Sequence, residues 1–202
     1  MNDRLDNILR LAIPSDGEMY DPTLKFMDLC GMPVRRPSPR RYTAEIPAVK
    51  GLEVHFQRGA DIPSRVEAGN VDLGIVGLDR FQEYRTEDGN SQLVVPNLGF
   101  GRCELVVGVP DSWIDVLSMS DLADLSVELR ETGRELRVAT KYPRLVQRFL
   151  FSHGLNYFTL QQVTGTLEAA PSMGYADIIV DISSTGVTMR ENRLKTVEDG
   201  SV

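Results

Sequence analysis

The sequence predicts an α/β fold, and three observations predict it. Apolar runs of strand length alternate along the chain with segments that carry helix caps and helical spacing. Gly and Pro punctuate the junctions between them. Gly69-Asn-Val-Asp72-Leu-Gly-Ile75 is echoed by Gly174-Tyr-Ala-Asp177-Ile-Ile-Val180, each with a helix-closing Gly, an Asp three residues on and a buried strand. Such an echo fits one element repeated in two similar lobes, although junctions of this kind also recur within single α/β domains. At 202 residues the chain has room for either arrangement.

Ile8 to Ile13 reads as a buried strand stopped by Pro14. A helix follows from about Pro22 to Cys30, with Asp21 as N-cap and Gly31 just past its end. Leu52, Val54 and Phe56 alternate with Glu53, His55 and Gln57, the period of a half-buried strand, which turns His55 away from the core. Asp61 caps the next helix, Pro63 lies in its first turn, and Gly69 closes it before a strand over Val71 to Val76. The Gly/Pro-rich passage Pro96 to Arg102 is the natural crossover. Beyond it, strands are expected at 103–109, 136–140, 157–163 and 176–182, with helices near 121–132, 143–153 and 167–173. This order calls for parallel or mixed sheets covered on both faces.

Charge narrows the function classes. With 22 Lys+Arg against 29 Asp+Glu the net charge is −7, which opposes binding to a nucleic-acid polyanion. Cys30 and Cys103 are distant and form no CxxC pair, so they are read as plain thiols rather than a disulfide framework or a zinc site, with burial the default for Cys103. The N-terminal stretch carries Asp3 and Asp6 within its short apolar segment, and no later run reaches spanning length, so a cytoplasmic protein with no membrane association is expected.

The most informative stretch runs from Thr164 to Thr188. Within its strand, Asp177, Ile179 and Asp181 share one face and Ile178, Val180 and Ile182 the other. Ligands of open α/β sheets bind off the carboxyl ends of strands, so Asp181 is placed to meet one and Asp177 is structural. The loop Ser183-Ser184-Thr185-Gly186-Val187-Thr188 offers hydroxyls and backbone N–H groups to a phosphate monoester, with Gly186 allowing close approach and a short helix following. A carboxylate just before it suits a ribose diol. The bland alternative is a polar strand-to-helix turn.

The run Glu168-Ala-Ala-Pro-Ser-Met-Gly-Tyr-Ala-Asp177-Ile-Ile-Val-Asp181-Ile-Ser-Ser-Thr185-Gly-Val-Thr188-Met-Arg-Glu-Asn192 resembles the phosphoribosyl-diphosphate (PRPP) signature of the ATP phosphoribosyltransferase family. Further passages resemble the family in the same order: Arg58 with Asp61-Ile-Pro63, Val71-Asp-Leu-Gly-Ile-Val-Gly77 with Asp79, Leu98-Gly-Phe-Gly-Arg-Cys103, and Arg137-Val-Ala-Thr-Lys141-Tyr-Pro143. The resemblance implies two α/β lobes similar to type II periplasmic binding proteins, with the active site in the interlobe cleft. On that pattern residues 1–102 plus about 189–202 form the first lobe and 103–188 the second. It also implies attack of adenine N1 of ATP on C1 of PRPP with loss of pyrophosphate, the first step of histidine biosynthesis. Ser184, Thr185, Gly186, Val187 and Thr188 would hold the 5-phosphate. Asp181 and Glu168 would serve catalysis, facing the ribose and the Mg²⁺-pyrophosphate and meeting the metal indirectly. Arg40, Arg41, Arg58, Asp16 and Lys141 are candidates for ATP. The Arg35, Arg36, Arg40 and Arg41 cluster is the local positive exception in an acidic chain, and Tyr42 beside it suits stacking on adenine or anchoring the loop. His55 and His153 are read as solvated or dipole-stabilised, not catalytic, and Trp113 as a packing residue.

Two departures from the family pattern stand out. Where a basic motif resembling Ser-Lys-Gly-Arg is expected after the first strand, this chain has Ser15-Asp16-Gly17-Glu18. Arg40 and Arg41 taking over phosphate binding is the preferred reading, ahead of a metal bridging the carboxylates or impaired ATP binding. The rival function is therefore a catalytically impaired cytoplasmic nucleotide- or PRPP-binding paralogue. The second departure is the close at Glu198 to Val202, read as a hydrophilic turn that ends short of the family core. The resemblance is to the short form of the family, which implies a homodimeric catalytic unit working in a hetero-oligomer with a regulatory subunit resembling histidyl-tRNA synthetase.

Overall fold

Two mixed sheets carry the chain, one in each of the units Met1–Gly101 and Arg102–Val202. The computed structural model describes residues 8–163, 165–183 and 187–201. The first unit runs β1 (Leu9–Pro14), α1 (Tyr20–Leu29), β2 (Thr43–Glu45), β3 (Leu52–Gln57), α2 (Ile62–Glu67), β4 (Leu73–Gly74) and α3 (Leu78–Tyr84). Its sheet has the order β2-β3-β1-β4, with β3 and β4 parallel to β1 and β2 antiparallel to β3. Strand alternation splits the apolar residues between two faces. Leu11, Ile13, Ala44, Val54 and Phe56 pack with Met27 of α1, while Ala12 packs with Ile62 of α2 and Val71.

Local chemistry moves some boundaries. Helix α1 starts ahead of Asp21, which falls in its first turn, and Met19 takes the N-cap position with no side-chain hydrogen bond. Gly31 follows the helix at φ +73°, the left-handed conformation expected of the residue that closes it. Asp61 occupies the N-cap position of α2 without a side-chain cap, and Ser64 Oγ donates instead to the Asp61 carbonyl at 2.9 Å. The strand expected over 71–76 shrinks to Leu73–Gly74. A Cβ at Gly74 would lie 2.5 Å from Ile62 Cγ2, so this glycine lets α2 close onto the sheet.

The second unit runs β5 (Glu104–Pro110), α4 (Met119–Glu131), β6 (Leu136–Thr140), α5 (Pro143–Ser152), β7 (Phe158–Gln162), β8 (Ile178–Ser183), α6 (Val187–Glu191) and β9 (Leu194–Ser201). Its sheet order is β7-β6-β8-β5-β9. Strands β7 and β8 flank β6 in parallel, and β5 runs antiparallel to β8 and β9. Helix α4 begins with a reciprocal cap, Ser118 Oγ accepting from Asp121 N–H and Asp121 Oδ2 from Ser118 N–H. Ile178 and Val180 join Val107, Val138, Leu122 and Leu150 in one core, with Trp113 packed against it. Ile179 joins Val106, Ala139 and Met189 in another, on the opposite face. No described helix is long and apolar enough to cross a membrane.

Four sequence expectations fail in this unit. Residues 167–174 form turns rather than a helix, because Pro171 interrupts the segment and has no N–H to donate. The described residues of 189–202 do not return to the first lobe: β9 pairs antiparallel with β5, Gly108 opposite Thr196 and Pro110 opposite Leu194. Nor is the close a hydrophilic turn. The register moves from Gly108↔Thr196 to Val106↔Ser201, so β9 bulges around Asp199 at φ +56°, while Val197 stays in the core at 6% exposure. Both Cys30 and Cys103 are exposed, which overturns the default of a buried Cys103.

The sequence echo is a structural one. In the first unit Arg10 N–H donates to Asp72 Oδ2 at 2.9 Å and the Asp72 N–H returns a bond to the Arg10 carbonyl. In the second, Arg137 N–H donates to Asp177 Oδ2 at 2.9 Å and Asp177 N–H returns a bond to the Arg137 carbonyl. Gly69 and Gly174 precede these locks at φ +67° and +74°. The surrounding strand orders, β3-β1-β4 and β7-β6-β8, match as well.

Candidate functional site

The two aspartates of β8 differ because they lie at opposite ends of one strand. Asp177 precedes its start and is clamped by arginines: Arg134 Nη2 and Arg137 Nη2 donate to Oδ1 at 2.9 and 2.8 Å, and Arg137 Nε to Oδ2 at 3.2 Å. Burial works against its ionisation, but Arg137, through its side chain and backbone N–H, and Arg134 outweigh it and hold the carboxyl below the ordinary aspartate range. This is a saturated, structural ion pair.

Asp181 lies toward the carboxyl end of β8, beside the carboxyl end of the parallel strand β6, where Thr140 is in register with Val180. Lys141, the first residue after β6, places Nζ 3.3 Å from Asp181 Oδ2, and Ile182 N–H donates to Oδ1 at 2.9 Å. The Asp181 side chain is 14% exposed and Lys141 36%. Burial is the largest influence and pushes the Asp181 carboxyl up; Lys141 and the Ile182 N–H pull it down, and the nearby charge of Glu168 raises it further. Strand order 7-6-8 makes the gap between β6 and β8 the point where successive connections leave in opposite directions, the place where open α/β sheets bind ligands. Glu168 lies in the 167–174 turns that follow β7, half-buried between the core residues Leu167 and Ala170.

Ser184, Thr185 and Gly186 lie outside the described residues. Val187 opens α6 and Thr188 follows in it. The next residue, Met189, is seated over the sheet at Gly108, where an added Cβ would meet its Sδ at 3.2 Å. His153 caps α5, Nδ1 lying 2.9 Å from the Phe149 carbonyl, a structural place consistent with its sequence reading. His55 is half-buried, with Nε2 3.3 Å from Glu53 Oε2.

In the first unit the ATP candidates gather at one sheet edge. Pro14 and Gln57 are in register on the parallel strands β1 and β3, so Asp16 and Arg58, both exposed, follow neighbouring carboxyl ends. Ser15 Oγ lies 3.4 Å from Asp16 Oδ2. Because β2 is antiparallel to β3, the segment before it arrives at that same edge: the Tyr42 carbonyl accepts Phe56 N–H at 2.8 Å. Arg36 stiffens this segment, its guanidinium 4.1 Å above the Phe56 ring and its Nε donating to the Arg41 carbonyl at 2.6 Å. Arg40 and Arg41 remain exposed, as does Tyr42 at 71%. Lys141 belongs to the second unit and to Asp181. Sequence reasoning missed that pairing, since the two residues are 40 positions apart and only the β6-β8 neighbourhood joins them.

Among the described residues no group of three or more His, Cys, Asp or Glu is assembled for a metal. The donor chemistry of Asp181 and Glu168 nonetheless fits Mg²⁺, which takes one or two carboxylates and completes its shell with substrate phosphates and water.

Residues 58–200 match the HisG family model, ATP phosphoribosyltransferase. The curated ATP phosphoribosyltransferases of Chelativorans sp. (strain BNC1) and Brucella anthropi are each 40% identical to this chain over 195 residues, covering 95% of it and 85% and 84% of themselves. A solved structure described as the ATP phosphoribosyl transferase (HisG:HisZ) complex from Thermotoga maritima superposes with a TM-score of 0.66 at 25% identity, over 96% of this chain and 83% of that one. With the PRPP-like signature closing a strand whose Asp181 faces the switch point, these matches show that the chain belongs to the ATP phosphoribosyltransferase family.

Proposed function

We propose that the chain transfers the 5-phosphoribosyl group of PRPP to N1 of the adenine of ATP, releasing pyrophosphate. One observation carries the assignment of its site: a half-buried carboxylate, Asp181, held by Lys141 at the carboxyl edge of β8, immediately ahead of the Ser184–Thr188 segment. In this reading Ser184, Thr185, Gly186, Val187 and Thr188 bind the 5-phosphate, which brings the ribose next to Asp181. As the bond to pyrophosphate lengthens, positive charge develops on the ribose ring, and the Asp181 carboxylate stabilises it at short range in a partly desolvated setting. Lys141 orients that carboxylate, and Glu168 binds toward the pyrophosphate end. Mg²⁺, bound with PRPP, would supply neutralisation of the departing pyrophosphate charge. Arg40, Arg41 and Arg58 bind the triphosphate of ATP, offsetting the anionic Asp16 and Glu18 at the edge of the first sheet.

The likeness to a protein solved as a HisG:HisZ complex supports a hetero-oligomer of this chain with a regulatory subunit, and a dimer of this chain is the catalytic unit in this reading. The test mixes the purified protein, alone and with such a subunit, with ATP, PRPP and Mg²⁺ and follows formation of phosphoribosyl-ATP. Product formation is expected. PRPP binding with no turnover under every partner condition would instead establish the impaired, ligand-binding reading that Asp16 and Glu18 suggest.

A further inference from the structure

A fully buried hydroxyl immediately precedes the lysine of the Lys141–Asp181 pair. Thr140 is the last residue of β6, has no solvent exposure, and its Oγ1 accepts Tyr142 N–H at 2.9 Å across Lys141. A threonine that bonds the backbone two residues on closes a tight local turn. The turn is held on three further sides. The Thr140 carbonyl accepts Val163 N–H from beyond β7, Thr140 is in register with Val180 of β8, and Tyr142, 4% exposed, is the N-cap of α5 ahead of Pro143. Lys141 is the residue at the apex. With its backbone pinned on both sides, its side chain crosses from β6 to β8 and meets Asp181 Oδ2 at 3.3 Å.

A lysine has four rotatable side-chain bonds and ordinarily gives up much rotamer freedom to hold one partner. Fixing its Cα direction removes part of that cost. Tyr142 N–H would also otherwise be left without this bond in a buried place, so the hydroxyl serves backbone and site together.

We propose that Thr140 is a positioning residue of the reaction, its hydroxyl setting the Lys141 turn so that the ammonium holds Asp181 in the orientation that faces the ribose. The inference rests on the proposed transferase activity. It is separable from it because the coupling between Thr140 and Lys141 is also readable in PRPP affinity.

The experiment compares wild type, T140V, T140S, K141M and T140V/K141M by steady-state kinetics, by calorimetric PRPP binding and by thermal unfolding. T140V keeps the side-chain shape and loses the hydroxyl. It is expected to lower kcat about tenfold with KM for ATP unchanged, while T140S stays within about twofold of wild type. T140V/K141M should be no worse than K141M, since Thr140 acts through Lys141; full multiplication of the two losses, or wild-type kinetics in T140V, overturns the proposal. Should T140V fold poorly, T140A also removes the hydroxyl, with both γ-methyls of valine gone, and carries the same comparison. If wild type forms no phosphoribosyl-ATP the function reading fails, and the cycle is then read in PRPP affinity alone: non-additive losses support the Thr140 role and additive ones reject it.

Discussion

Replacing each aspartate of the β8 strand by asparagine makes the same chemical change at its two ends, and the structure predicts opposite consequences. At Asp177 the change removes the charge from a carboxylate that accepts from Arg134, from Arg137 Nε and Nη2, and from the Arg137 backbone N–H. It also turns an amide NH₂ toward groups that are all donors. The guanidinium side chains are 56% and 39% exposed and regain water, so each of those pairs is worth little, about 0.2–1 kcal/mol. An orphaned Arg137 N–H adds about 1–3 kcal/mol, giving a total of about 1.5–5 kcal/mol. For a chain of this length that lowers Tm by roughly 3–20 °C. At Asp181 the sign reverses. Burial makes ionisation harder in the folded state than in the unfolded one, so this carboxylate lowers stability at neutral pH, and stability returns as pH falls through its raised pKa. D181N should therefore keep or raise Tm while lowering kcat about 10²-fold. Scanning calorimetry and steady-state turnover on both variants decide the matter. A D177N protein with normal Tm and lost turnover, or a D181N protein that melts early and works normally, would refute the assignment of structural and reactive ends.

The Asp177 clamp also predicts an acid limb: its depressed pKa gives stability that is full above the ordinary aspartate pKa and fades as pH drops through the lower folded value, and D177N should flatten that limb in urea titrations. Gly108→Ala would put a Cβ 3.0 Å from Ile179 Cγ1 and 3.2 Å from Met189 Sδ, so a cost of about 1–3 kcal/mol is expected by chemical denaturation. Ser118→Ala removes the oxygen that accepts Asp121 N–H at the start of α4 and should cost about 1 kcal/mol in the same assay. Arg58→Ala and Arg41→Ala, both at the edge of the first sheet, should raise KM for ATP severalfold and leave PRPP affinity unchanged.

Much of the fold is legible in the chain because alternation is a local signal. Leu52 to Gln57 and Leu136 to Thr140 declare strands within a few residues, and the division of Ile178, Val180 and Ile179 between two cores follows from period two alone. Failures come where a local signal is ambiguous or a distant partner decides. Pro171 turns an apparently helical 167–173 into successive turns, and the polar Glu198-Asp199-Gly200 hides a bulge whose neighbour Val197 is anchored in the core. Strand β2, three residues long, is defined by its pairing with β3 rather than by any pattern of its own. The placing of Asp177 and Asp181 at the two ends of one strand was readable from period two and strand length. The Lys141 contact was not, because sheet order is a long-range property; a threonine closing a strand just before a lysine was the available hint.

Strand β9 stays with β5, and each unit is consequently one unbroken stretch of polypeptide, up to Gly101 and from Arg102 onward. Every described strand pairing of either sheet therefore closes a loop that lies within one half of the chain, and none spans the Gly101–Arg102 junction.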